Sequence, residues 1–465
     1  MTQPTDMIQY DLIELAGDLY TPIQLFQKIT GEQKFILESS AKHEESGRYS
    51  FIGRNPYGEV KGVGPESEIT INNKRVEKTG SLLRTLFETI KKCENISLPF
   101  PFIGGGVGYV AYDVIRQTEK IGGVPQDQLG MPDVHFLLYD QLIIFDHLEE
   151  KVFLLALDLE NSYSLQDLKK RNELLKREVQ QNTIPENVQA DTKKLSFVSN
   201  IEKEKFLENV EIAKNHIRAG DIFQVVLSQR LEADFTGDPF SYYRSLRKEN
   251  PSPYMYYLDL RDYVVIGTSP ESFIKANGED LVSNPIAGTR KRGKTVTEDK
   301  ALEMELKTNE KELAEHNMLV DLSRNDLGRV SKIGSVVVSE YQKIERYKHV
   351  MHLVSEVISK RKEDVDNVEV IEACLPAGTV SGAPKIRAMQ IINELEGTKR
   401  GLYSGAVGYI SATGDLDLAL AIRTMIVKDE KAYVQAGAGV VYDSDPEMEY
   451  EETMKKARAL LEVKA

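Results

Sequence analysis

The sequence predicts an α+β fold, with a largely antiparallel β-sandwich core and helices packed outside. Three observations predict it. Short apolar runs follow one another across short turns, as in residues 137–155 around His147-Leu-Glu-Glu-Lys151. Helical patterns are interleaved with these runs but do not alternate with them strictly, which disfavours a doubly wound parallel sheet. The chain has 465 residues, 41% apolar and 28% charged, enough for a large core in two or three domains without covalent staples.

In chain order, residues 35–39 and 49–52 read as strands, with a polar turn at 43–47, and 81–92 shows helical spacing. The run Gly104-Gly-Gly-Val-Gly-Tyr-Val-Ala111 follows Pro99 and Pro101 and no long helix succeeds it, so it reads as a structural turn. Between Gln180 and Lys194 the chain turns polar, contains Pro185 and loses periodicity. This marks a linker at 181–198, separating an N-terminal region, 1–180, from a second region, 199–465. Ser199 with Glu202 is a capping-box signature for a helix with the apolar stripe Phe206, Val210, Ala213 and Ile217, and Gly220 suits its C′ position. Strands follow at 223–227, 254–260, 264–267 and 432–435, and helices at 303–326, 350–360, 386–395 and 449–463.

Composition narrows the function classes. Against 59 Lys and Arg stand 73 Asp and Glu, a net charge of −14, which argues against general nucleic-acid binding. Any anion site must be a local cationic island. Cys93 and Cys374 have no CxxC spacing, so a reducing, cytoplasmic setting fits. The first 17 residues lack a basic and apolar leader pattern, and eighteen apolar residues never run together, so neither secretion nor a membrane helix is expected.

Several stretches could carry chemistry. In Asn284-Pro-Ile-Ala-Gly-Thr-Arg-Lys-Arg-Gly293, Gly288 allows close backbone approach, and Thr289, Arg290, Lys291 and Arg292 offer a hydroxyl and charge to an anion, or form a solvated basic turn. Glu312 and Glu315 share a helix face, as do Glu449, Glu452 and Lys456. Two such faces suit a hard cation such as Mg²⁺. They equally suit solvent, since Glu208/Glu211 and Glu369/Glu372 have the same spacing. Gly378-Thr-Val-Ser-Gly-Ala-Pro-Lys385 and Gln435-Ala-Gly-Ala-Gly439 expose backbone N–H groups fit for carboxylate oxygens. His352 is either a core histidine or a catalyst, and Glu271 is a candidate acid or base on a turn. With no G-x-S-x-G elbow and no cysteine nucleophile pattern, glutaminase activity is not expected in this chain.

The order of these motifs resembles the chorismate-utilising enzymes, and within them the anthranilate synthase component I group. The resemblance spans nearly the whole chain. It is densest in Pro-Ile-Ala-Gly-Thr-Arg290, Glu315-His-Asn-Met-Leu-Val-Asp-Leu-Ser-Arg-Asn-Asp-Leu-Gly328, Gly378 to Lys385, Arg400-Gly-Leu-Tyr-Ser-Gly-Ala-Val-Gly408 and Gln435 to Val441. It implies that Glu312 and Glu449 ligate Mg²⁺, with Glu315 and Glu452 acting directly or through water. Tyr403, Arg423, Lys456, Gly437 and Gly439 are then carboxylate grips, with Thr289 at the ring, and His352 and Glu271 are the catalytic groups flanking it. The implied reaction converts chorismate and ammonia to anthranilate and pyruvate. A separate glutamine amidotransferase subunit supplies the ammonia, in a heterodimer or heterotetramer.

Ala287 chooses within that family. Relatives that add water to chorismate carry Lys there as a base, and those making 4-amino-4-deoxychorismate commonly carry it as a nucleophile. Neutral ammonia needs neither, so Ala287 favours anthranilate formation over the alternative, an aminodeoxychorismate synthase component I. A non-catalytic amino-acid-sensing homologue is the alternative from another class, and the intact Glu312, Glu449, His352, Arg423 and Lys456 argue against it. The resemblance further makes residues 1–180 a smaller regulatory α/β region intertwined with the catalytic one. Its Leu37-Glu38-Ser39, with Asn250, Pro251, Ser252, Pro253, Tyr254 and Met255, resembles a tryptophan-binding element for feedback inhibition. Glu38 would pair with the ligand ammonium, or it simply ends an edge strand. The chain has no Trp of its own, which suits an enzyme made when tryptophan is scarce.

Overall fold

The computed structural model describes residues 8–39, 47–93, 96–183 and 195–463. Most of the expected linker and turn 43–47, and the first seven residues, lie outside them. Two twelve-stranded antiparallel sheets dominate the described residues. Each takes strands from both sides of residues 181–198. In the first, Phe35–Glu38 pairs with Tyr254–Asp259, joining the strands before the linker to those after it. In the second, Gly105–Val110 makes the same junction with Ala406–Ser411.

An aromatic-rich core fills the space between the sheets, where Phe102 stacks on Tyr409 with centroids 4.7 Å apart. On one outer face, helices Pro22–Lys28, Leu165–Gln181, Pro239–Glu249 and Pro446–Leu461 cover a second apolar cluster. Leu82–Thr89, Glu310–Val330 and Asn367–Cys374 cover a third on the other. This is the sandwich with helices outside that strand patterning predicts.

Local differences have identifiable causes. Val350–Lys360, expected as a helix, is a strand paired with Ile286–Lys291 and Asp280–Ser283 on one side and Val337–Arg346 on the other. Its β-branched Val350, Val354 and Val357 suit that central place, and burial of Met351 to Ser355 on both faces hides the alternation that marks a strand. The expected helix 303–326 is two helices, Val296–Thr308 and Glu310–Val330. Asn309 ends the first and caps the second, its side chain accepting from Glu312 N.

The capping box at Ser199 does not form. The helix starts at Lys203 with Glu202 as N-cap, and the Ser199 hydroxyl donates to Gln229 Oε1 at 2.7 Å. Phe206, Val210 and Ala213 of its apolar stripe are buried as expected and Ile217 is half-buried, and Gly220 takes the left-handed C′ position at φ +84°. The glycine run at 104–111 is a buried strand, Gly105–Val110, and not a turn. A Cβ on Gly108 would lie 2.0 Å from the His135 carbonyl oxygen, so glycine there permits close strand packing.

Candidate active site

A cleft of about 520 Å³ gathers every residue that the family resemblance assigns to substrate, metal and catalysis. Four elements shape it. Strand Ile286–Lys291 bulges at Gly288, where φ is +74°, so that Thr289 pairs with His352 on the neighbouring strand. Strand Lys431–Val440 pairs along Gln224–Asp234, but its other edge meets Thr424–Lys428 only as far as Val434. Beyond that point the sheet opens, and Gln435, Ala436, Gly437 and Gly439 line the cleft. Gly437 and Gly439 are therefore strand residues and not a loop after a strand. A Cβ at Gly437 would meet the Tyr403 hydroxyl at 2.6 Å, so glycine lets Tyr403 reach the cleft wall. Helices Glu310–Val330 and Pro446–Leu461 supply the acidic wall, with Glu312, Glu315, Glu449 and Glu452.

The two candidate proton carriers sit in opposite electrostatic states. Glu271 follows strand Tyr263–Ser269, and burial pushes its carboxyl up to about 8, against a 2.7 Å hydrogen bond donated by Thr379 Oγ1 and the charge of Lys456. Burial lowers His352 to about 4. Its Nδ1 lies 3.2 Å from the Gly288 carbonyl, which can only accept, and 3.0 Å from Thr289 Oγ1. Nδ1 therefore carries the proton and Nε2 the lone pair. At neutral pH the cleft holds a protonated carboxylic acid and a neutral imidazole base.

Charges are equally asymmetric. The Arg423 guanidinium has no ion-pair partner among the described residues, and burial alone holds its pKa below the usual value. Its backbone takes the left-handed φ of +51°, uncommon for a non-glycine residue. An unpaired buried cation is costly unless a ligand completes it, and a guanidinium matches a carboxylate. Lys456 Nζ donates to Gly437 O at 3.0 Å and pairs with Glu452 at 2.8 Å. The basic run beside Thr289 does not serve as an anion clamp. Arg290 pairs with Glu305 and Glu312, and Arg292 with Asp299.

A family model of chorismate-binding enzymes matches residues 32–462. The chain belongs to the chorismate-binding enzyme family. It is 44% identical over 456 residues to the anthranilate synthase component 1 of Lactococcus lactis subsp. lactis, across 97% of this chain and 98% of that one. With the component 1 of Acetivibrio thermocellus it shares 47% over 465 residues, 97% of this chain and 94% of that one. The crystal structure of anthranilate synthase component I from Streptococcus pneumoniae TIGR4 superposes with a TM-score of 0.84 at 44% identity, over 96% and 98% of the two chains. MenF, the menaquinone-specific isochorismate synthase from Escherichia coli, superposes at 0.73 with 18% identity, over 98% and 96%, a likeness of fold alone.

In this chorismate-binding chain the four cleft glutamates face one another. Burial and then Glu312 push Glu315 up, and burial and Glu452 push Glu449 up. Among the described residues no three His, Cys, Asp or Glu side chains converge closely enough to ligate one ion by themselves. Mutually repelling hard oxygens on two helices nonetheless fit a hard divalent cation whose remaining ligands are waters and a bound carboxylate.

A second pocket of about 350 Å³ shares no residue with the first. Glu38, Ser39, Pro253, Tyr254 and Met255 line it, whereas Asn250, Pro251 and Ser252 lie off its wall. Strand pairing sets Met255 opposite Glu38, joining the two segments that the sequence singles out. The Glu38 carboxylate turns toward helix Pro239–Glu249, accepting from Tyr243 Oη at 2.5 Å and Arg247 Nη2 at 2.8 Å. Lys275 and Asp417 bring opposite charges to the wall, paired at 3.1 Å.

The roles of three side chains are not legible in the sequence. Thr379 was legible only as part of a loop offering backbone N–H groups, yet its hydroxyl holds Glu271. Gln224 donates to Glu315 Oε1 at 3.3 Å, and no motif marks it. Nor did the sequence reveal Arg400, fully buried, which bonds Glu396 and the carbonyls of Val226 and Val380 and lies 5.4 Å from the Tyr403 ring.

Proposed function

We propose that this chain converts chorismate and ammonia to anthranilate and pyruvate, as the name of its relatives suggests, and that tryptophan inhibits it from the second pocket. One observation carries the catalytic reading. A protonated Glu271 and a neutral His352 line the same cleft as the unpaired Arg423 and the unreactive Ala287.

Arg423, Tyr403, Lys456 and the open edge at Gly437 and Gly439 hold the substrate carboxylates. Glu312, Glu315, Glu449 and Glu452 hold Mg²⁺, which when bound neutralises them and polarises the ring carboxylate. Ammonia attacks C2 while Glu271 protonates the departing C4 oxygen. His352 Nε2 then takes the C2 proton, the enolpyruvyl C–O bond breaks toward oxygen, and the enol gains a proton at its methylene carbon to become pyruvate. Thr289 orients the imidazole. Ala287, 8% exposed in the cleft wall, offers no amine to activate water or to attack the ring, which supports ammonia as the nucleophile. A partner amidotransferase subunit supplies that ammonia, in keeping with the relatives' designation as component 1.

The hairpin geometry supports coupling between pockets. Tyr254, in the regulatory wall, pairs with Ser269, whose hydroxyl accepts from Glu271 N at 3.3 Å. A ligand that favours one arrangement of this hairpin biases the acid. Ser39→Phe is expected to abolish tryptophan inhibition while kcat stays close to the parent's; unchanged inhibition would remove the site. The catalytic reading is tested by separating the products of chorismate, Mg²⁺ and ammonium. Anthranilate and pyruvate in equal amounts support it, whereas 4-amino-4-deoxychorismate or isochorismate as sole product contradicts it.

A further inference from the structure

A third, much smaller cavity of about 30 Å³ lies against Glu271. Glu271, Thr379 and Leu319 line both it and the main cleft, so these three form the partition. The volume has room for roughly one or two waters. Polar side chains stand in its lining among apolar ones such as Phe273, Leu322 and Leu327. Ser323 Oγ donates to Ser283 Oγ at 2.9 Å, and Asp326 pairs with Lys385 Nζ at 2.6 Å. The Asp326 and Lys385 side chains keep 15% and 11% of their surface exposed, so this end meets solvent. Thr379, Ser283, Ser323 and Asp326 thus offer hydrogen-bond partners between a buried carboxyl and the outside.

We propose that this cavity is a proton port, through which Glu271 is recharged from solvent while substrate fills the cleft. The proposal rests on the reading of Glu271 as the acid. In each turnover Glu271 gives its proton to the C4 oxygen, the C4–O electron pair leaves with that oxygen, and water departs. Glu271 is then a carboxylate shut off from the cleft mouth by the bound ring. A water in the cavity passes it a proton and regains one from solvent at the Asp326–Lys385 end. Ammonia joined to C2 releases one proton, so uptake and release balance.

Ser323→Val in the full-length chain removes a hydroxyl and fills the cavity with methyl groups. With saturating chorismate, Mg²⁺ and ammonium, kcat is expected to fall by up to the roughly 10²–10⁴-fold that general acid–base catalysis supplies. KM for chorismate should stay within about twofold, because no substrate contact is touched. The solvent deuterium isotope effect on kcat should rise, since proton delivery has become limiting. A parent-like kcat overturns the port, and so does a lower kcat with an unchanged isotope effect, which marks a merely structural role. Should S323V fail to fold by circular dichroism, Ser283→Ala, which adds no bulk, is read by the same two measurements. Glu271→Gln separates the premises. Full activity in E271Q removes the acid reading itself, whereas a dead E271Q beside a parent-like S323V removes the port alone.

Discussion

Glu271 and His352 line one cleft, yet burial moves their pKa values in opposite directions and past each other, to about 8 and about 4. Burial disfavours whichever form is charged, so it keeps the carboxyl protonated and the imidazole neutral. The sign fixes a pH dependence. Glu271 is in its acid form below about 8 and loses it as pH rises through that value. At constant free ammonia, kcat/KM for chorismate should therefore be flat near neutrality and fall about tenfold per pH unit well above the pKa. A rate that stays level to pH 10 contradicts the assignment. Arg423 gives a second prediction. Arg423→Met should raise the Tm of the ligand-free protein, because an unpaired desolvated charge disappears. It should also weaken chorismate binding by about 1.5–3 kcal/mol or more, the worth of a charged hydrogen bond, read by calorimetric titration. These residues were legible as motif members. Their protonation states were not, because burial depends on chain segments up to several hundred positions away.

At the scale of elements, periodicity told helices from strands where one face meets solvent and misled where both are buried. The helices at Lys385–Glu396 and Pro446–Leu461 keep an exposed face, and their patterns are plain. Val350–Lys360 is buried on both faces from Met351 to Ser355, so its apolar run there carries no period. The glycine strand Gly105–Val110 was hidden for a different reason: its glycines serve the backbone of neighbouring strands, which sequence does not display. Gly108→Ala should accordingly destabilise the protein by about 3 kcal/mol or more, since backbone and not a yielding side chain opposes the new methyl. A shift of the denaturation midpoint at constant m-value measures this. A stability equal to the parent's would contradict the strand packing described.

At the scale of the whole molecule, each sheet joins a block of strands from before residues 181–198 to a block from after them, through one strand pair. Neither segment closes its own hydrophobic face, so unfolding should be one cooperative transition by calorimetry. Two resolved transitions, one for each segment, would contradict that view. The junction also places the cleft and the second pocket on a shared framework, because strand Tyr254–Asp259 lines the second pocket and pairs with the strand leading to Glu271 in the cleft. Short apolar runs joined by short turns made the antiparallel architecture readable, and motif order the cleft residues. Which strands from distant parts of the chain become neighbours was not readable, since nothing local in a strand names its partner.

The most direct test of both pockets is to follow anthranilate fluorescence as purified protein meets chorismate, Mg²⁺ and ammonium, with tryptophan then titrated in. The chain has 21 Tyr and no Trp, so the protein background is low. The account predicts a signal that rises with time, depends on Mg²⁺ and is suppressed by tryptophan. No fluorescence, with chorismate left unconsumed, would contradict it.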